Sequence, residues 1–319
     1  MMQQKGTQIP GAADKKIFQA DISKEAFDKK QPGMAADYMW VDGIPFPSIV
    51  ENLELLRDEF VVEDEDIITI SYPKSGTNWL LEIISLIHSR GDPSWVQSVV
   101  TWDRSPWIEY VGGYEKLRKH APEKGPRFYA SHLPIQFFPR SFFNSKAKAI
   151  YIIRNPRDII TSGYFFWKGM KIAKSTESFE QFFQWFLQGY VSYGSWFDHI
   201  RGWLSMRGKD NFLVVAYEDL HQDRRGTVEL ISQFLGCKLT PEELNAVLKN
   251  ISFQVMKDNK MSNYSQLSDT IMDHSKVQMI RKGITGDWKN HFTVAQSETF
   301  DKVYAEKMAG LPREAFPWE

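Results

Sequence analysis

The sequence predicts an α/β fold, a single domain in which a central parallel sheet is flanked by helices on both faces. Two observations carry that expectation. Four short apolar runs, at 67–71, 127–131, 149–153 and 212–216, are bounded by polar residues, Pro or Gly and read as buried strands. Helical patterns lie between and after them, at 79–88, 156–170, 179–206, 227–235, 241–248 and 297–308. Strands alternating with helices pack as a parallel sheet covered on both sides, and such sheets collect ligands at the carboxyl ends of their strands.

The first strand leads directly into a polar loop and a helix start. In 66–88, DIITISYPKSGTNWLLEIISLIH, Ile67, Ile68 and Ile70 form a β-branched run, Pro73-Lys74-Ser75-Gly76 breaks it, and Trp79, Leu80, Ile83, Ile84 and Ile87 recur at helical spacing. The layout is P-loop-like: unpaired N–H groups and the positive end of the helix dipole face the loop. Lys74 adds a full charge, and Ser75, Thr77 and Asn78 add short donors, so phosphate or sulfate is the expected guest. The lysine precedes the glycine and no earlier glycine is present, which departs from G-x-x-x-x-G-K-[ST] and disfavours an ordinary kinase or ATPase. Taken alone, the same residues also read as a well-capped turn.

The second strand, at 127–131, delivers His132, the one histidine of seven that falls at a strand's carboxyl end. It is a candidate acid/base, although a lone histidine is commonly structural. The other six read as surface or helix-packing residues. The third strand runs into Arg154-Asn155-Pro156-Arg157-Asp158, where Pro156 and Asp158 suit a first helical turn and Ser162 lies further along the same helix. Far along the chain, Arg281-Lys282-Gly283-Ile284-Thr285-Gly286 sets two cations beside two glycines, a second cluster able to converge on a phosphate. Two separate anion clusters suggest a nucleotide with phosphates at two ends. Trp102, Trp107, Phe137, Phe138, Phe165, Phe166, Trp167 and Tyr264 flank these motifs and make a case for an apolar acceptor pocket, although such residues are often plain core.

Whole-chain properties narrow the class. At 319 residues, with no internal repeat or low-complexity linker in the body, one domain over 34–319 is expected. Residues 1–33 are Lys-, Gln- and Ala-rich with few apolar anchors and read as an extension, disordered or weakly helical. Thirty-nine basic against 40 acidic residues give a net charge of −1, so no global field draws nucleic acid or anionic lipid. A single cysteine, Cys237, excludes an intrachain disulfide and suits a reducing compartment, with the cytosol as the expected location. No apolar run reaches the length of a membrane span, no signal peptide is evident, and no metal-ligand spacing occurs, so neither membrane nor metal is expected.

Three of these segments, YPKSGTNWL at 72–80, RNPRD at 154–158 and RKGITGDWKNHFT at 281–293, resemble the signature segments of the cytosolic sulfotransferases, in the same order. The resemblance runs from about Tyr38 to Glu319, and the first 35 or so residues have no counterpart in it. HLPIQFFP, SGYFFWK, YGSWFDHI, KMSNYS and LPREAFPWE place it in the hydroxysteroid branch. It implies sulfuryl transfer from 3′-phosphoadenosine 5′-phosphosulfate (PAPS), a co-substrate, to the hydroxyl of a hydroxysteroid or bile acid. Lys74 would contact the leaving phosphate, with Ser75, Gly76, Thr77 and Asn78 on the 5′-phosphate. Trp79 and Phe253 would sandwich the adenine and Tyr217 its edge. Arg154, Ser162, Arg281, Lys282 and Gly283 would bind the 3′-phosphate. His132 would be the general base, with Lys74 and Ser162 completing the catalytic set, and Trp102, Trp107, Phe166, Trp167 and Tyr264 would meet the acceptor.

One departure stands out: Ile251 occupies a position where many relatives carry Ser or Thr, and a lost neutral hydrogen bond costs about 0.5 to 1.5 kcal/mol. Lys289, Thr293, Val294 and Glu298 match the family's short dimerisation pattern, which implies a homodimer. Two other readings remain open at this stage, a non-catalytic nucleotide- or sterol-binding relative and a small-molecule kinase.

Overall fold

The computed structural model describes residues 38–120, 125–173 and 176–318. The expectation for residues 1–33 lies outside them. Four parallel strands form the central sheet: β3 (Ile67–Ser71), β4 (Phe128–Ser131), β5 (Lys148–Ile153) and β6 (Phe212–Ala216), in the order β4-β3-β5-β6. Ile68 pairs with Tyr129, Thr69 with Ile150 and Tyr151 with Val214. All four lie within one residue of the bounds expected from the sequence.

Alternation along the strands splits the interior into two cores. Ile68, Ile70, Ala149, Tyr151 and Ile153 point to one face, where the helices Pro156–Trp167, Phe179–Gln188 and Trp196–Leu204 pack. Ile150, Ile152 and Val215 point to the other, against the helices Thr77–His88, Arg224–Leu235 and Pro241–Asn250. Helices on both faces leave the carboxyl edge of the sheet open. The chain visits β4 on one side of β3 and then β5 on the other, so the crevice beyond β3 is a topological switch point.

Three features differ from the sequence expectation. The helical stretch at 179–206 is two helices, because Gly189 takes φ +77° and ends the first, and the Ser195 side chain caps the second. An antiparallel hairpin, β1 (Tyr38–Val41) with β2 (Ile44–Pro47), was not expected; its Asp42-Gly43 turn has φ +48° and +76°. That dipeptide between aromatic and apolar residues is a hairpin signal in its own right. The helix after β5 also stops earlier than 170, at Trp167.

Candidate active site

β3 ends in Ser71, and the chain turns through Lys74 at φ +71° and Gly76 at φ +106° before the helix starts at Thr77. A Cβ on Gly76 would lie 2.5 Å from Tyr217 Cδ2, so the close approach needs glycine. Thr77 Oγ1 and Ser71 Oγ share a hydrogen bond of 2.7 Å that closes the turn. Lys74 Nζ sits 3.8 Å from the Phe166 ring centroid and 3.6 Å from Met279 Sδ. Burial, with Arg154 and Arg281 nearby, lowers its ammonium to about 7. Asn78 Oδ1 accepts the Tyr264 hydroxyl at 3.1 Å, and Trp79 Nε1 donates to the Ile251 carbonyl at 3.0 Å.

β5 delivers Arg154 beside this loop. Its Nη1 donates to the Lys74 carbonyl and its Nη2 to the Ile284 carbonyl, both at 3.1 Å, with the guanidinium 4.2 Å from the Tyr217 ring. Arg281 Nη2 and Lys282 Nζ each donate to Asp287 at 2.7 Å. Burial opposes the charge on Asp287, but those bonds win and hold its carboxyl far below the usual range. The loop is fastened in turn by Asp158, which accepts the N–H of Gly286 at 2.7 Å and of Trp288 at 3.0 Å. Gly283, at φ +64°, lies so close to Phe253 that a Cβ would come within 2.2 Å of its ring.

β4 ends in His132. Its Nδ1–H donates to the Ser71 carbonyl at 2.7 Å, which leaves the lone pair on Nε2. Burial, joined by the Lys74 charge and opposed by the bond to Ser71, lowers its pKa to about 3, so the ring is neutral at physiological pH.

Lys74, Gly76, Thr77, Asn78, Trp79, His132, Arg154, Ser162, Tyr217, Phe253, Arg281, Lys282 and Gly283 line one continuous cavity of about 530 Å³. Trp102, Trp107, Phe166, Trp167 and Tyr264 line it as well. Ser75 does not; its hydroxyl is buried without a hydrogen-bond partner, as is Arg154 Nε. Three flanking aromatics fall elsewhere. Phe137 packs against Phe46 and Phe138 against Trp203 in the core, and Phe165 turns towards His291 and Arg281. Ile251 is fully buried at the cavity wall.

Sequence reasoning missed several lining residues, among them Tyr110, Met170, Ile172, Tyr193 and Leu267, whose segments carry no chemical signature. It also missed two histidines. His221 lines the cavity beside Trp79, and His199 lies buried behind His132, its Nε2 donating to the His132 carbonyl at 3.1 Å and its Nδ1 accepting from Tyr151 at 2.9 Å. Among the described residues no helix is long and apolar enough to cross a membrane.

The arrangement can bind a dianionic group at the helix start, a second anion at Arg154 and Arg281, and an apolar molecule against the aromatic wall. A family model for the sulfotransferase domain matches residues 64–312. Sulfotransferase 2A1 of Homo sapiens is 60% identical over 290 residues, covering 90% of this chain and 100% of that one. The 3-beta-hydroxysteroid sulfotransferase of Cavia porcellus is 57% identical over 289 residues, with 90% and 99% covered. Among solved structures, mouse sulfotransferase SULT7A1 complexed with PAP matches with a TM-score of 0.73 at 30% identity, over 86% of this chain and 95% of that one. Retinol dehydratase, in complex with androsterone and PAP, shares the fold with a TM-score of 0.71 at 21% identity, over 78% and 82%. This chain belongs to the sulfotransferase family.

Proposed function

We propose that the chain transfers the sulfuryl group of PAPS to the hydroxyl of a hydrophobic alcohol, a hydroxysteroid or a bile acid. The observation that carries this reading is the sharing of one cavity by a neutral His132, the basic side chains of Lys74, Arg154, Arg281 and Lys282, and an aromatic wall. The residues present fit the nucleotide: Arg154, on the cavity wall, has a buried Nε donor without a partner, and a depressed Lys74 regains its charge beside an anion.

PAPS supplies an activated sulfuryl group whose bridging S–O bond breaks as the acceptor oxygen bonds to sulfur. His132 Nε2 takes the hydroxyl proton, and Lys74 meets the charge that develops on the leaving phosphate. Ser75, Gly76, Thr77 and Asn78 hold the 5′-phosphate at the helix start. Trp79 and Phe253 bracket the adenine and Tyr217 borders it. Arg154, Ser162, Arg281, Lys282 and Gly283 take the 3′-phosphate, Asp287 yielding part of its two partners to the ligand. Trp102, Trp107, Phe166, Trp167 and Tyr264 receive the acceptor. Because alignment and charge placement dominate such transfers, no further group is required.

The deciding experiment is transfer of labelled sulfate from PAPS to hydroxysteroids, bile acids, long-chain alcohols and simple phenols. Turnover confined to the alicyclic alcohols supports the reading; tight PAP binding with no turnover on any acceptor replaces it with a non-catalytic binding protein. The cytosol is the proposed place of action, a reading that the single Cys237 supports because it suits a reducing compartment. The protein is proposed to pair as a homodimer through Lys289, Thr293, Val294 and Glu298, supported by the large exposure of Val294, 76%, at a helix start. Val294→Glu should shift sedimentation towards monomer, and an unchanged profile would remove that assignment.

A further inference from the structure

Glu109 is a fully buried acid beside the proposed base, and none of the roles above uses it. Its place follows from a short pairing at the sheet edge. The Ile108 N–H donates to the Ala130 carbonyl and the Ala130 N–H to the Pro106 carbonyl, each at 3.0 Å, so the chain from Pro106 runs parallel to β4. That segment therefore arrives where β4 delivers His132. Trp107 packs on the imidazole, with centroids 4.2 Å apart and planes at 34°. Glu109 Oε1 accepts the peptide N–H of His132 at 2.9 Å. The same oxygen accepts the Tyr193 hydroxyl at 3.3 Å, and the Tyr193 ring meets the imidazole edge-on at 5.2 Å. Tyr110 shares a 3.2 Å hydrogen bond with that phenol.

We propose that Glu109 is a positioning residue for His132, one carboxylate oxygen fixing both the main chain of the base and the ring that backs it. The proposal rests on the reading of His132 as general base. Glu109 does not line the cavity, so it acts through His132 and not on the acceptor. The His199 bond to the His132 carbonyl holds the opposite side of the residue, and Ser71 holds Nδ1. The main chain of His132 is thereby held at two atoms and its ring at Nδ1, so Nε2 keeps one direction. What the site asks of Glu109 is acceptance of hydrogen bonds. Burial pushes its carboxyl up to about 7, which makes a neutral amide a close substitute. Alanine instead strands a buried N–H and takes from the Tyr193 phenol one of its two partners.

The test measures kcat, acceptor KM and PAP affinity for Glu109→Ala and Glu109→Gln, and repeats Glu109→Ala in a His132→Ala background. Glu109→Ala should lower kcat about 10- to 100-fold, with acceptor KM and PAP affinity within about threefold of the parent. Glu109→Gln should restore kcat to within about threefold, and Glu109→Ala should add nothing once His132 is gone. Parental kcat in Glu109→Ala, or a fully additive loss in the double variant, overturns the proposal. If Glu109→Ala does not fold, Tyr193→Phe decides, since it keeps the ring and removes the phenol that shares Oε1. A reduced kcat with unchanged PAP affinity supports the proposal there, and parental kcat overturns it. Parental turnover in His132→Ala would instead remove the base and this inference with it, whereas an inactive His132→Ala beside a fully active Glu109→Ala removes the inference alone.

Discussion

The two ends of the cavity are held by different kinds of structure. At the cation end Lys74 and Arg154 follow directly on strands of the sheet, Arg281 and Lys282 sit on a loop, and carboxylates lock the pieces together: Asp158 fastens the 286–288 loop and Asp287 draws in Arg281 and Lys282. At the acceptor end the lining comes from short segments joined mainly by main-chain bonds and ring contacts. Thr101 N–H donates to the Met261 carbonyl, Lys171 N–H to the Ile271 carbonyl and Asp273 N–H to the Gly169 carbonyl, each at 2.8 Å, while Trp102 lies 5.3 Å from Tyr264. Charges must be placed to within a fraction of an ångström to matter, because hydrogen bonds to charged groups are short and directional. An apolar guest asks only for shape. The cation end thus leaves little freedom to sequence change, and the acceptor end leaves much.

Four measurements can break or sharpen that contrast. The largest effect belongs to the joint between the halves. His132→Ala should lower turnover about 10²- to 10⁴-fold, with PAP affinity nearly unchanged; full turnover would show that the base lies elsewhere. Next, Arg281→Ala should weaken binding of 3′-phosphorylated nucleotide about 10- to 100-fold, as loss of one charge-assisted bond predicts. The analogue lacking the 3′-phosphate should be hardly affected, and equal losses for both would move the 3′-phosphate pocket. Trp102→Ala should raise acceptor KM about tenfold while leaving PAP affinity alone. A matching loss of PAP affinity would show that the two ends are not separable.

The smallest effect is a proton. Lys74, lowered to about 7 in the free protein, is mostly neutral at pH 8, and a bound anion raises its pKa again. Binding of PAP at pH 8 should therefore take up a proton, up to about one, whereas at pH 5.5 Lys74 is already charged and takes up none. Calorimetry in buffers of different ionisation enthalpy reads this directly. Equal proton uptake at both pH values would contradict the depressed ammonium.

The same contrast explains what could be read without coordinates. Lys74, Arg154 and His132 were legible because each follows a strand of recognisable pattern, and the parallel sheet puts all strand ends on one edge. Arg281, Lys282 and Gly283 stood out as two cations beside glycines. Asp158 was legible only as a helix-start residue, since its grip on a loop 128 residues away leaves no local trace. Glu109 was invisible for a similar reason: its partners are a main-chain N–H and a distant phenol. Among the aromatics, rotation about a helix or a tight turn decided the outcome. Phe165 and Phe166 are neighbours, yet one touches Lys74 and the other Arg281. The break at Gly189 and the Asp42-Gly43 hairpin were readable from local chemistry and were overlooked because the surrounding apolar density masked them.

Lys74 brings two unfavourable conditions into the folded chain at once: a left-handed backbone on a residue with a Cβ, which costs roughly 1–2 kcal/mol, and an ammonium stripped of water among other cations. Glycine at this position would relieve both. The fold would then melt at a higher temperature as the chemistry disappeared, so thermal selection alone would drive this loop away from the residue that gives it a purpose.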